Sequence, residues 1–157
     1  MFRSLRCAFL AMTPLLAFLP AAVSAAPDAR WHELAATPVG RLSLDAASIR
    51  GTGALKTFRY RIDHNAEQKN AGTGKAYRST VIDATVDCVR RTMAKDTLRA
   101  YSENAGGGKL VDQVAMNEAP AVITGQSSND MLMRAVCNAS PSGAAPGAAP
   151  GAAPVRR

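Results

Sequence analysis

Aromatic residues, histidine and cysteine are all scarce in this chain of 157 residues, which holds four Phe, three Tyr, one Trp, two His and three Cys. So few aromatics leave little to stack on nucleobases, and nucleic acid is not an expected partner. Neither a C-x-x-C nor an H-x-x-x-H pair occurs, and Cys88, Cys137, His32 and His64 are scattered. The close ligand spacing of a zinc site is therefore missing, and no metal or other cofactor is expected. A phosphate-binding loop is excluded too. Counting back from Gly74-Lys75 puts Lys69 where the first glycine belongs and Ala76 where Ser or Thr is required. Gly108-Lys109 fails in the same way at Glu103 and Leu110. Beyond Leu19 no apolar run approaches the roughly 20 residues of a membrane helix, so no transmembrane segment is expected.

The first 25 residues, in contrast, read as an export signal. Arg3 and Arg6 supply the positive end, Ala8 to Leu19 is apolar but broken by Pro14, and Val23-Ser24-Ala25 is a small-residue cleavage pattern. Cleavage after Ala25 removes Cys7 and leaves Cys88 and Cys137 as the one remaining pair. In an oxidising compartment such a pair is expected to form a disulfide. Closing a loop of about 49 residues takes roughly 4 kcal/mol from the entropy of the unfolded chain. Losing Arg3 and Arg6 from 19 basic side chains, and none of the 12 acidic ones, lowers the net charge from +7 to +5. The remaining length suits one domain with a single core.

At the other end, residues 141–157 carry Gly-Ala-Ala-Pro three times between Gly143 and Pro154 before Val155-Arg156-Arg157. Regular proline among small residues favours an extended, solvated chain, so this stretch is expected to be a disordered tail. The folded unit is then 26–140.

Within that unit, two-residue alternation dominates. Phe58, Tyr60 and Ile62 share one face while Arg59, Arg61 and Asp63 share the other, as in a half-buried antiparallel strand. Tyr77 to Cys88 alternates likewise, with Ile82, Ala84, Val86 and Cys88 on the apolar side. His64 to Gly74 reads as a long hairpin loop. Further strands are expected at Trp31 to Ala35, Arg41 to Leu44, Thr97 to Glu103 and Leu110 to Met116, the last two joined through Gly106 to Gly108. Asp45 to Arg50 reads as a short helical turn. Ser127-Ser128-Asn129-Asp130 suits a helix start, and Leu132, Ala135 and Val136 then repeat at helical spacing, with Cys137 in the last turn. The fold class is α+β: a small antiparallel sheet packed by a C-terminal helix, with one disulfide.

Trp31, the Leu44-Asp45-Ala46-Ala47-Ser48-Ile49-Arg50 stretch, Asp87-Cys88 followed by Arg90-Arg91, the Tyr101 to Gly108 turn, and Gly125-Gln126-Ser127 leading to Val136-Cys137 form an ordered set. In order and spacing the set resembles the surface-adhesin E family of proteobacteria. The resemblance implies a small sheet backed by a helix, a disulfide between the matching cysteines, and export to the periplasm or surface. It also implies binding to host matrix or plasma proteins, or to another acidic macromolecule. Two departures stand out. The signal cysteine, Cys7, lies far from the cleavage site, which argues against a lipid anchor, and Pro120-Ala121-Val122 replaces a tryptophan common before the final helix.

In adhesive relatives the contact region includes the basic strand leading to the first cysteine. The matching residues are Lys75, Arg78, Arg90 and Arg91, whose charges suit acidic or sulfated partners. The alternative is a solvated strand face. His32-Glu33 and His64 offer an acid and a base for nuclease chemistry, but no enzyme is expected from two histidines so placed. The runner-up to adhesion is a periplasmic small-ligand-binding or envelope-associated protein, with a nuclease third. An unpaired edge strand permits a homodimer.

Overall fold

The computed structural model describes residues 30–139, so the proposed signal (1–25) and tail (141–157) lie outside the described residues. Seven strands form one antiparallel sheet: β1 (Trp31–Thr37), β2 (Gly40–Arg50), β3 (Leu55–Lys69), β4 (Ala76–Asp87), β5 (Thr92–Tyr101), β6 (Leu110–Ala115) and β7 (Ala121–Val122). Strands β1 to β6 lie side by side in chain order, and β7 pairs with the start of β5. The helix α1 (Ser128–Asn138) then crosses one face. Short connections between sequential neighbours make this meander the simplest solution for a run of alternating segments.

Register explains the core. Leu44 faces Tyr60, which faces Ile82, which faces Leu98, so one apolar row crosses four strands. Beside it Phe58 faces Ala84. Leu132, Met133 and Val136 of α1 cover these rows, and all three are buried. The helix begins as expected: the Ser127 hydroxyl accepts the Asp130 backbone N–H at 3.2 Å, satisfying one free donor of the first turn. At its far end Cys137 is bonded to Cys88 just past β4, across a sequence separation of 49.

That same end of α1 is also held by a group the pattern did not suggest. Lys56 lies on the apolar face of β3, only 7% exposed, and its Nζ donates to the carbonyls of Val136, Cys137 and Ala139 at 3.0, 3.2 and 2.9 Å. The last carbonyls of a helix lack the usual donor one turn on, although that of Val136 also accepts the Ala139 N–H at 3.3 Å, and a cation is favoured there by the helix dipole.

Two expected elements differ. Asp45 to Arg50 is no helical turn; β2 runs on to Arg50 and bulges, so that Asp45 faces Arg59 and Arg50 faces Thr57. Ser48 fixes the bulge, its hydroxyl donating to the Asp45 carbonyl at 2.6 Å and accepting the Arg59 N–H at 2.8 Å, while Ile49 is buried. Likewise His64 to Gly74 is mostly strand. β3 continues to Lys69 past a register shift between Asp63 and Gln68, and the turn is confined to residues 70–75. Asn70 closes that turn by accepting the N–H groups of Gly72 and Thr73 on its Oδ1. An end of a hairpin with little apolar burial needs no alternation, which is why its sequence reads as loop. The two-residue β7 was not foreseen.

Candidate functional site

The four expected contact residues fall at opposite ends of β4. Lys75 sits in the turn before the strand and Arg78 near its start, whereas Arg90 and Arg91 lie in the turn after it. Nine residue steps of β4, from Arg78 to its end at Asp87, separate the pairs, which is roughly 30 Å at about 3.4 Å per residue. They make two basic ends and not one patch.

Their engagement differs as well. Lys75 is exposed and forms no ion pair among the described residues. Arg78 reaches Glu67 at 3.7 Å with both side chains half exposed, and Arg90, 82% exposed, lies 3.9 Å from Asp87. Such surface pairs contribute little and remain open to exchange. Arg91 is committed elsewhere. Its Nη2 donates at 2.8 Å to Oδ1 of Asp130, whose side chain is 3% exposed, and Arg134 approaches the other oxygen at 2.9 Å. The Arg91 hydrogen bond holds the Asp130 carboxyl below its ordinary pKa; burial opposes the shift, and the Gln126 N–H adds to it. Arg91 also has a left-handed backbone, φ 53°, at the tip of the β4–β5 turn. It therefore fastens that turn to the start of α1. Arg91→Ala is expected to lower the midpoint of thermal unfolding and Arg90→Ala to leave it unchanged; equal midpoints for the two variants would contradict the assignment.

The sheet face away from α1 holds charge that alternation alone marks only as the polar side of half-buried strands. Asp83 of β4 receives Arg59 Nε at 2.7 Å and Arg99 Nη1 at 2.6 Å. Burial pushes the Asp83 pKa up, but the hydrogen bonds from Arg59 and Arg99 outweigh it and leave it lowered; Asp83 in turn raises that of Arg59. Next to this triad, Arg61 pairs with Asp63 at 2.9 Å, and both are buried. Their lid is the β5–β6 turn. Arg61 donates to the Ala105 carbonyl at 3.0 Å, Asp63 accepts the Ala105 N–H at 2.6 Å, and the Gly106 N–H reaches Ser79 Oγ at 3.0 Å, with Gly106 at φ 71°. The Trp31 ring covers the Arg61 guanidinium at 4.6 Å. The readable signal was Arg-x-Arg-x-Asp on one strand opposite Asp83 and Arg99 on the next two.

A carboxylate with a lowered folded pKa stabilises the fold above its unfolded pKa, and that contribution is lost as pH falls through the folded value. Asp83 and Asp130 both behave so. Thermal stability is expected to fall steeply below about pH 4, and Asp83→Asn to flatten that acid limb. A variant with an unchanged acid limb would contradict the role of Asp83.

The histidines do not form a pair. His32 faces Leu44 and His64 faces Gly40, four residues apart along β2, or roughly 14 Å. Burial lowers the His64 pKa, and its ring meets Tyr77 edge-on at 5.5 Å.

A meander sheet closed on one face by a single helix and tied to that helix by a disulfide is a small α+β module with basic ends. A family model described as surface-adhesin protein E matches residues 31–138, and the chain belongs to that family. Solved structures of Haemophilus influenzae protein E share its fold. One aligns with a TM-score of 0.55 at 13% identity, covering 71% of this chain and 86% of that one. A second crystal form gives 0.56 at 13% identity, covering 71% and 90%. Protein E from non-typeable Haemophilus influenzae gives 0.53 at 14% identity, covering 73% and 78%. No curated protein matches the sequence. Among the described residues no helix is long and apolar enough to cross a membrane.

Proposed function

We propose that this protein is an exported, non-catalytic module that binds an acidic macromolecule, a matrix or plasma protein in the first instance, through Lys75, Arg78 and Arg90. One observation carries the reading: in an adhesin-family domain these three cations remain exposed and at most weakly paired, while Arg91 is spent on Asp130. Arg and Lys so placed keep their charge at all working pH values and attract carboxylates or sulfates. Their span means that a partner touching both ends is itself extended. The spacing of His32 and His64 speaks against nuclease chemistry by that pair. A second copy would find sheet edges at β1 and β6, where Leu110 and Val114 are exposed.

Immobilised heparin serves as a sulfated probe and an acidic matrix protein as the second surface. The exported protein is expected to bind both, and its affinity to fall as salt shortens the screening length to about 8 Å at physiological ionic strength. Protease treatment of intact cells is expected to remove the domain if it acts at the surface. Binding that does not respond to salt would contradict the electrostatic reading, and protection in intact cells would place the domain inside the envelope.

A further inference from the structure

Between the start of α1 and the sheet lies a cavity of about 180 Å3. Leu42, Ile82 and Leu132 form its buried apolar floor, and Val39, an exposed apolar side chain in the β1–β2 turn, stands at the rim. An apolar cavity of about 150 Å3 holds a benzene ring, so this one has room for a hydrocarbon body of similar size.

Tyr60 is the polar group deepest in the lining. The residue is 3% exposed, and its hydroxyl makes no hydrogen bond among the described residues. Nor is that hydroxyl sealed off. The orphaned side-chain atoms with no accessible surface are Trp31 Nε1, Asp45 Oδ1 and His64 Nε2, and the Tyr60 oxygen is not among them. What surface it keeps is on the cavity that it lines. Burial pushes the Tyr60 pKa up and the charge of Glu118 adds to the shift, so the phenol keeps its proton at all working pH values. A buried O–H without an acceptor is costly, and folded proteins leave few polar groups in that condition.

Further donors meet it from the rim. Lys95 lines the cavity from β5, and its only ion pair is a loose one, 3.8 Å to Glu118 with both side chains partly exposed. Such a pair contributes little and exchanges readily for another anion. Glu118 acts on the Tyr60 phenol and pairs with Lys95, which puts the hydroxyl and the ammonium on the same side of the cavity. Ser128 and Asn129, the first two residues of α1, line it too, and the free amides and dipole of a helix start favour negative charge. Donors gathered beside an apolar floor suit a carboxylate carried on a short hydrocarbon body. An ammonium would be repelled by Lys95, and an inorganic anion would leave the floor uncovered.

From this we propose that the cavity binds a free monocarboxylate with an apolar body of about six carbons, its chain against Leu42, Ile82 and Leu132 and its carboxylate accepting from the Tyr60 hydroxyl and the Lys95 ammonium. The site is separate from the adhesive surface, since neither Lys75, Arg78 nor Arg90 lines it.

The exported, oxidised protein, labelled with 15N, is titrated with hexanoate, hexylamine and acetate while the amide resonances of Gly40 and Asn129, both in the lining, are followed. Hexanoate is expected to shift them saturably at millimolar concentration. Hexylamine, which offers Lys95 no acceptor, should bind at least about tenfold more weakly, as loss of a charge-assisted hydrogen bond implies. Acetate, which has no chain to bury, should also bind at least about tenfold more weakly. Tyr60→Phe keeps the ring and should weaken hexanoate severalfold, whereas Glu118→Gln, which releases Lys95, should tighten it. A flat hexanoate titration overturns the proposal, as does hexylamine or acetate binding as tightly as hexanoate, or undiminished hexanoate binding by Tyr60→Phe. The comparison of the three ligands uses the unaltered protein and so decides the matter even if Tyr60→Phe does not fold.

Discussion

Reduction of the Cys88–Cys137 bond is expected to lower stability by about 4 kcal/mol. For a domain of this size that is a fall of roughly 15 °C in the unfolding midpoint. The magnitude follows from the loop of 49 residues that the bond closes, since a longer loop gives the unfolded chain more freedom when released. Place in the fold sharpens the effect. The bond joins the end of β4 to the last turn of α1, and α1 carries the side chains that cover the sheet. Reduction frees the one covalent tie holding that cover. Calorimetry of oxidised and reduced protein measures the difference directly. Identical midpoints would mean that the helix docks by packing alone.

A second large effect is expected at Lys56. Lys56→Met keeps most of the buried stem and removes the ammonium from three helix-end carbonyls, which should cost about 2 kcal/mol. Lys56→Ala also empties the space of the stem and should cost about 4 kcal/mol. The ordering of the two variants separates the polar contribution from packing. Because Lys56 and the disulfide pin the same end of α1, their losses should not add: Lys56→Met should cost a different amount in the reduced protein than in the oxidised one. Denaturant unfolding of the four combinations tests this. A neutral Lys56→Met would show that burying the ammonium offsets its hydrogen bonds.

These residues also show what the sequence could reveal. The alternation of Phe58, Tyr60 and Ile62 against Arg59, Arg61 and Asp63 fixed the two faces of β3, and the faces of β4 followed in the same way. The Ser127 cap and the Leu132, Ala135, Val136 stripe located the helix. Lys56 lies on the apolar side of its strand, but a lysine there reads as the end of the alternation that starts at Phe58, and its partners lie some 80 residues away, where no local signal names them. Asp45 to Arg50 misled because Ala-Ala-Ser favours a helical turn locally, whereas the Ser48 hydrogen bonds and the burial of Ile49 select a bulged strand. Arg91 was indistinguishable from Arg90 by type and position. Only the fold brings Asp130 beside one and leaves the other in solvent.

The adhesive reading is tested most directly by reversing the three available cations together. The exported protein with Lys75, Arg78 and Arg90 changed to Glu, and Arg91 left in place to keep the fold, is compared with the unaltered protein for binding to heparin and to an acidic matrix protein, with circular dichroism confirming its structure. Loss of most of the binding by a correctly folded variant is the expected result, and undiminished binding would return these residues to an ordinary solvated surface.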